Sequence, residues 1–161
     1  MTLTSPTGPA LGVAERAHTP AAAPGTHPSR ITHGGALALP AQPRYAAAAR
    51  RFAQDLAEAW GMDRDVVDTL VLIVGELAAN AAQHGGVEMY VKVWIAGPEL
   101  CVEVTDTGPL LKPADDRDPA SGECGRGLGI VDLLTDWCAV DHGPLTRRVR
   151  AGFGVVRYSR R

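Results

Sequence analysis

Three groups of residues in this chain could do chemistry. Glu76 and Asn80 are four residues apart in a stretch whose apolar residues recur at helical spacing. Such a pair shares one helix face, with about 5–6 Å between Cβ atoms. An asparagine carbonyl can supply one of the oxygen ligands that magnesium takes while it bridges phosphates, and a carboxylate one turn away can orient or deprotonate a hydroxyl or a water. Alone, the pair equally fits a solvated helix face. Asp106 closes an alternating segment and precedes Thr107-Gly108. A carboxylate at a strand end can accept from the amino group of adenine, a bond to a charged group being worth about 1.5–3 kcal/mol, whereas guanine presents a carbonyl there. Asp-Thr-Gly is also an ordinary turn sequence. The third group, Gly125-Arg126-Gly127-Leu128-Gly129, opens an apolar helical pattern. Glycines admit close backbone approach to an anion, and a helix N-terminus adds its positive end. The run is not a P-loop, since no Lys-Ser or Lys-Thr follows, and the segment before it is loop rather than the strand a dinucleotide fold requires.

The elements that must position these groups follow from periodicity. A short strand, Ala36–Leu39, ends at Pro40, and an alanine-rich helix runs from about Arg44 to Trp60 with Tyr45, Ala49, Phe52, Leu56 and Trp60 on one stripe. A second helix spans about Arg64 to His84, with Asp63 as N-cap and Gly85-Gly86 as its end; Val67, Leu70, Val71, Val74, Leu77 and Ala78 supply its buried face. The period then changes to two. Met89, Val91, Val93 and Ile95, a Gly97-Pro98 turn, and Leu100, Val102 and Val104 predict a hairpin with one buried face. The segment 109–123 is polar, acidic and without period. A helix from Gly127 to about Trp137 and strands at Cys138–Asp141 and Phe153–Tyr158 complete an α+β domain over residues 35–161, helices covering one sheet face. Residues 1–34, rich in Pro, Ala, Thr and Gly, read as a disordered arm.

Composition excludes several classes. The 161 residues fit one domain, with 45% apolar residues and only 5% aromatic, so Ala, Val and Leu must fill the core. A net charge of -2 leaves no basic footprint for nucleic acid and none for an anionic membrane surface. No apolar run is long enough to span a bilayer and no signal sequence opens the chain. Three cysteines without metal-ligand spacing fit a reducing, cytoplasmic setting.

Taken in order, helical Glu-x-x-x-Asn, strand-Asp-x-Gly and Gly-x-Gly-x-Gly before a helix resemble the GHKL (Bergerat-fold) ATP-binding superfamily, over about residues 36–159. Within it, the segment from Gly75 to Gly85 (Gly-Glu-Leu-Ala-Ala-Asn-Ala-Ala-Gln-His-Gly) resembles the signature helix of the bacterial anti-sigma-factor serine kinases. The resemblance implies a two-layer sandwich with a mixed sheet under helices, and a site for ATP and magnesium. Asn80 would be the metal ligand, Glu76 the catalytic base and Asp106 the adenine reader. Gly108 would give close backbone approach, Gly125, Gly127, Leu128 and Gly129 would line the phosphates, and residues 109–124 would form a lid. Sensor histidine kinases of the superfamily usually have Asn where Glu76 stands, so the acid favours transfer to a hydroxyl or hydrolysis. The implied partners are an anti-anti-sigma (STAS) protein or a sigma factor. Family members often form homodimers, though no exposed apolar stripe marks that surface here.

This sequence departs from the family pattern at two places. Asp106-Thr107-Gly108-Pro109-Leu110 lacks the second glycine of Asp-x-Gly-x-Gly. The final strand, aligned as Gly152–Val156, lacks the threonine that commonly supports the adenine site. Both departures keep open a module that binds ATP without turnover and sequesters a regulator, and a relative that no longer binds nucleotide. Other residues have plainer readings. His84 caps its helix, where a cation is favoured, or touches phosphate. Arg126 clamps the γ-phosphate or is solvated. Arg147, Arg148 and Arg150 read as a turn, and Cys124 as an inert thiol.

Overall fold

The computed structural model describes residues 30–84, 86–108 and 125–155. Most of the expected arm (1–29), the expected lid (109–124, with Cys124) and the tail from residue 156 lie outside the described residues.

Strands β1 (Ile31–Pro40), β2 (Glu88–Ala96), β3 (Glu99–Thr107), β4 (Trp137–His142) and β5 (Thr146–Gly154) form one sheet of order β1-β2-β3-β5-β4. The helices are α1 (Ala46–Ala59), α2 (Arg64–Gln83) and α3 (Gly125–Leu134), with a 3-10 turn at Pro43–Tyr45 before α1. This is the expected α+β sandwich. The sheet is antiparallel at all four junctions between the described strands rather than mixed. The reason is topological: β3 and β4 run in the same direction across the α3 connection, but β5 folds back as a hairpin and inserts between them.

One sheet face carries the core. Met89, Val91, Val93 and Ile95 of β2 stand opposite Asp106, Val104, Val102 and Leu100 of β3, which in turn stand opposite Arg147, Val149, Ala151 and Phe153 of β5. All these residues are buried, and α2 packs across them with Leu70, Ile73, Val74, Leu77 and Ala78. α1 lies beside α2 through the buried alanines Ala46, Ala49, Ala53 and Ala57, while Phe52, Leu56 and Trp60 are only partly covered. Small side chains let the two helices approach closely. At Gly75 a Cβ would stand 3.1 Å from Cδ of Arg50 on α1.

Several boundaries differ from the sequence reading. β1 starts at Ile31, not Ala36, because Gly34 and Gly35 pair with Trp94 and Val93 as ordinary strand residues; a Cβ at Gly35 would meet Leu56 of α1 at 2.6 Å. Asp63 holds the N-cap position of α2 with extended backbone but makes no side-chain cap bond. α3 stops at Leu134, and Trp137 opens β4, donating its indole N–H to Glu99. The arginines expected in a turn stand inside β5. Arg148 and Arg150 point to the open face, where Glu103 and Asp141 answer them. Arg147 points inward.

The core prediction is direct. Leu70→Ala, at a fully buried position, should lose about 2–5 kcal/mol of unfolding free energy. Leu133→Ala, on a side chain 87% exposed, should change it by less than about 0.5 kcal/mol. Urea unfolding of both variants checks the pair.

Candidate functional site

The apolar flank of α2 gives way to polar groups in its C-terminal half. Asn80 is 8% exposed, and below it on the sheet lie Asp106 and Arg147, each 5% exposed. No other polar side chain is buried among the described residues. Their positions follow from register: Asp106 and Arg147 are cross-strand partners, in a row that continues to Met89 on one side and His142 on the other. Residue alternation in β3 and β5 therefore turns both charges toward the helix.

Asp106 Oδ1 accepts the backbone N–H of Arg147 at 3.1 Å. Burial pushes the Asp106 carboxyl above its ordinary range, and the Arg147 charge partly opposes that. The Arg147 guanidinium reaches past Asp106 to the helix. Its two terminal nitrogens donate to the Asn80 amide oxygen at 2.8 and 3.2 Å, while the Asn80 NH2 donates to His84 Nε2 at 3.0 Å. This amide orientation satisfies both neighbours, and His84 fits it. Burial first, then the Arg147 charge, lowers the His84 pKa, which favours a neutral ring with one nitrogen able to accept. His84 thus stands at the helix C-cap, as expected, but its ring serves Asn80; its backbone N–H bonds the Asn80 carbonyl.

One turn before Asn80, Glu76 meets the start of α3. A Cβ built on Gly127 would lie 3.0 Å from Glu76 Oε2, so this carboxylate stands close against the first turn of α3, where a helix favours negative charge. Gly129 has open space on its side, and Leu128 packs partly against the core, which leaves only its backbone to the site. Gly125 is the first residue of α3; the side chain of Arg126 lies outside what is described. Gly108 has φ +145°, and a Cβ there would fall 2.9 Å from the Val87 nitrogen. Its close approach is to the loop after α2, and Gly86 of that loop lies over Asp106.

The structure thus joins Asn80 to Asp106 through Arg147 and sets Glu76 against Gly127, the two pairs held one turn apart by α2. Sequence reading missed Arg147. The signal was present: Arg147, Val149, Ala151 and Phe153 alternate with Arg148, Arg150 and Gly152, a strand pattern hidden by three arginines. The space lined by Asn80, Asp106, Arg147, Leu77 and Val149 has no room for a water molecule, whereas ordinary ligand pockets run to roughly 300–1,000 Å³.

The donor chemistry nevertheless fits a magnesium nucleotide. The Asn80 oxygen already faces a cation, the guanidinium. Among the described residues no three His, Cys, Asp or Glu side chains converge as a metal cage, so a cation at Asn80 would complete its shell from phosphate and water, as magnesium commonly does. Elsewhere, burial pushes the Cys101 thiol up to about 12, so it stays protonated.

A family model described as the histidine kinase-like ATPase domain matches residues 39–153. The chain belongs to that family. In fold it is similar to the crystal structure of the RsbU and RsbW domains of Rv1364c from Mycobacterium tuberculosis, with a TM-score of 0.62 and 20% identity over 80% of this chain. It spans 34% of that longer chain. No curated protein matches it in sequence. Among the described residues no helix is long and apolar enough to cross a membrane.

The lowered pKa of His84 has a measurable sign. The folded state resists protonation that the unfolded chain accepts near pH 6.5, so the His84 contribution is fully present above that pH and is lost as pH falls through it. Asp106, raised in the folded state, acts in the opposite sense at more acidic pH. Urea unfolding of wild type and His84→Gln at pH 7.5 and 5.5 isolates the histidine: the wild type should lose more stability on acidification than the variant.

Proposed function

We propose that this chain binds ATP with magnesium in the crevice between the C-terminal half of α2, the end of β3 and the start of α3, and transfers the γ-phosphate to a serine or threonine of a small antagonist protein. The observation that carries this reading is the delivery by one helix of Glu76 to the first turn of α3 and of Asn80 to Asp106. Asn80 would lend its amide oxygen to the metal, and Asp106 would accept from the adenine amino group. Gly108 would give close backbone approach beside Asp106, and the backbone of Gly125, Arg126, Gly127, Leu128 and Gly129 would line the phosphates. Magnesium, when bound, would neutralise the phosphate charge. Glu76 would take the proton of the attacking hydroxyl as the new P–O bond forms and ADP leaves. Phosphoryl transfer asks a protein mainly for such positioning and charge.

The partner class rests on resemblance. The helix segment from Gly75 to Gly85 is similar to that of the anti-sigma-factor kinases, and the similar structure contains an RsbW domain. These support an anti-anti-sigma (STAS) protein as substrate, with a sigma factor as the alternative partner. A second reading has a specific observation behind it. Arg147 holds Asn80, which favours a switch that binds nucleotide sparingly and changes partner affinity without turnover.

Calorimetry with magnesium-ADP and transfer from labelled ATP to a STAS partner separate the two. Asn80→Ala should abolish magnesium-dependent binding. Glu76→Ala should keep binding and lower transfer by about 10²–10⁴-fold, the usual contribution of a general base. Equal transfer by Glu76→Ala and wild type would remove Glu76 from its role, and binding without product would select the switch.

A further inference from the structure

We propose that Arg147 is a built-in cation competing for the metal-binding place: its guanidinium holds the Asn80 oxygen, and a magnesium nucleotide enters by displacing it. The inference rests on the nucleotide reading above and adds a residue to that site.

The geometry is specific. Arg147 ties together both groups assigned to opposite ends of the nucleotide, through its backbone N–H to Asp106 and through its guanidinium to Asn80. Its stem and head fill the interval, so the enclosed space admits not even water. Asn80 cannot bind magnesium through that oxygen while two N–H groups occupy it, and adenine cannot lie beside Asp106 while the Arg147 side chain crosses to the helix. The nearby charges make the arrangement sensitive to exchange. The guanidinium has Asp106 as its buried counter-charge. An entering dication would add to this positive charge unless the guanidinium moved away. The route out is short, because Arg147 is the second residue of β5 and follows the exposed Pro144-Leu145 turn. Arginine, unlike lysine, holds one acceptor with two parallel donors, so the competition is strong.

The test uses the full chain and two substitutions. Arg147→Thr removes both the charge and the bulk; Arg147→Met keeps much of the bulk and guards against a variant that fails to fold. Magnesium-ADP titrations by calorimetry should show Arg147→Thr binding at least about tenfold tighter than wild type, the factor expected from losing one competing charged hydrogen bond, and Arg147→Met tighter by less. Without nucleotide, urea unfolding of Asn80→Ala, Arg147→Met and the double variant should be non-additive, as for residues in contact. Wild type that binds while both variants bind equally or more weakly would overturn the competition alone, with weaker binding making Arg147 a nucleotide ligand instead. Additive unfolding effects would overturn the Asn80 contact. Absence of binding by wild type and variants up to millimolar nucleotide would take down the nucleotide reading itself, and this inference with it.

Discussion

Burial of two opposite charges beneath one helix is the constraint on which the rest of this site depends. Asp106 and Arg147 face the core because strand alternation leaves them no other direction, and a charge taken out of water is costly unless paired and hydrogen-bonded. The carboxylate is only partly compensated, as its raised pKa indicates. The guanidinium finds its acceptor on α2, at Asn80. That helix end therefore carries an amide where its preceding turns carry Leu70, Ile73, Val74 and Leu77. An asparagine can serve both sides at once, oxygen to the arginine and NH2 to a neutral histidine, which no apolar residue could do.

The same helix imposes the second half of the site. Glu76 sits one turn nearer the helix start than Asn80, and the 20-residue α2 is too tightly packed against the sheet and α1 for the two to move independently. Where α3 meets it, Gly127 leaves the carboxylate room; a side chain there would push it aside by a few tenths of an ångström. The pairing of a carboxylate with a helix N-terminus and of an amide with a cation gives an anion place and a cation place on consecutive turns.

Much of this was legible before any coordinates. The helical spacing of Val67, Leu70, Val74 and Leu77, the alternation of Met89 through Val104, and the polar pair at Glu76 and Asn80 each express a local period. Local periods are dictated by backbone geometry. The elements built on them came out where expected, apart from their ends. The ends were misread where a residue's local preference was overruled. Gly34 and Gly35 signal a turn but continue β1, and Trp137 fits a helix stripe but pairs with Gly152 in β4.

Three arginines in four residues suggest a solvated turn, and the alternation within β5 does not by itself say which of its faces is buried. What decided their fate lies elsewhere in the chain: Asp106, Glu103 and Asp141 stand across the sheet, the first of them 41 positions from Arg147. The amino-acid sequence by itself determined which groups capable of chemistry exist and on which face of its own element each one lies. Only the tertiary structure decided which of them share a space, because strand order and register are set by the packing of the whole sheet beneath α2, and that packing turned an arginine inward onto the amide oxygen of Asn80.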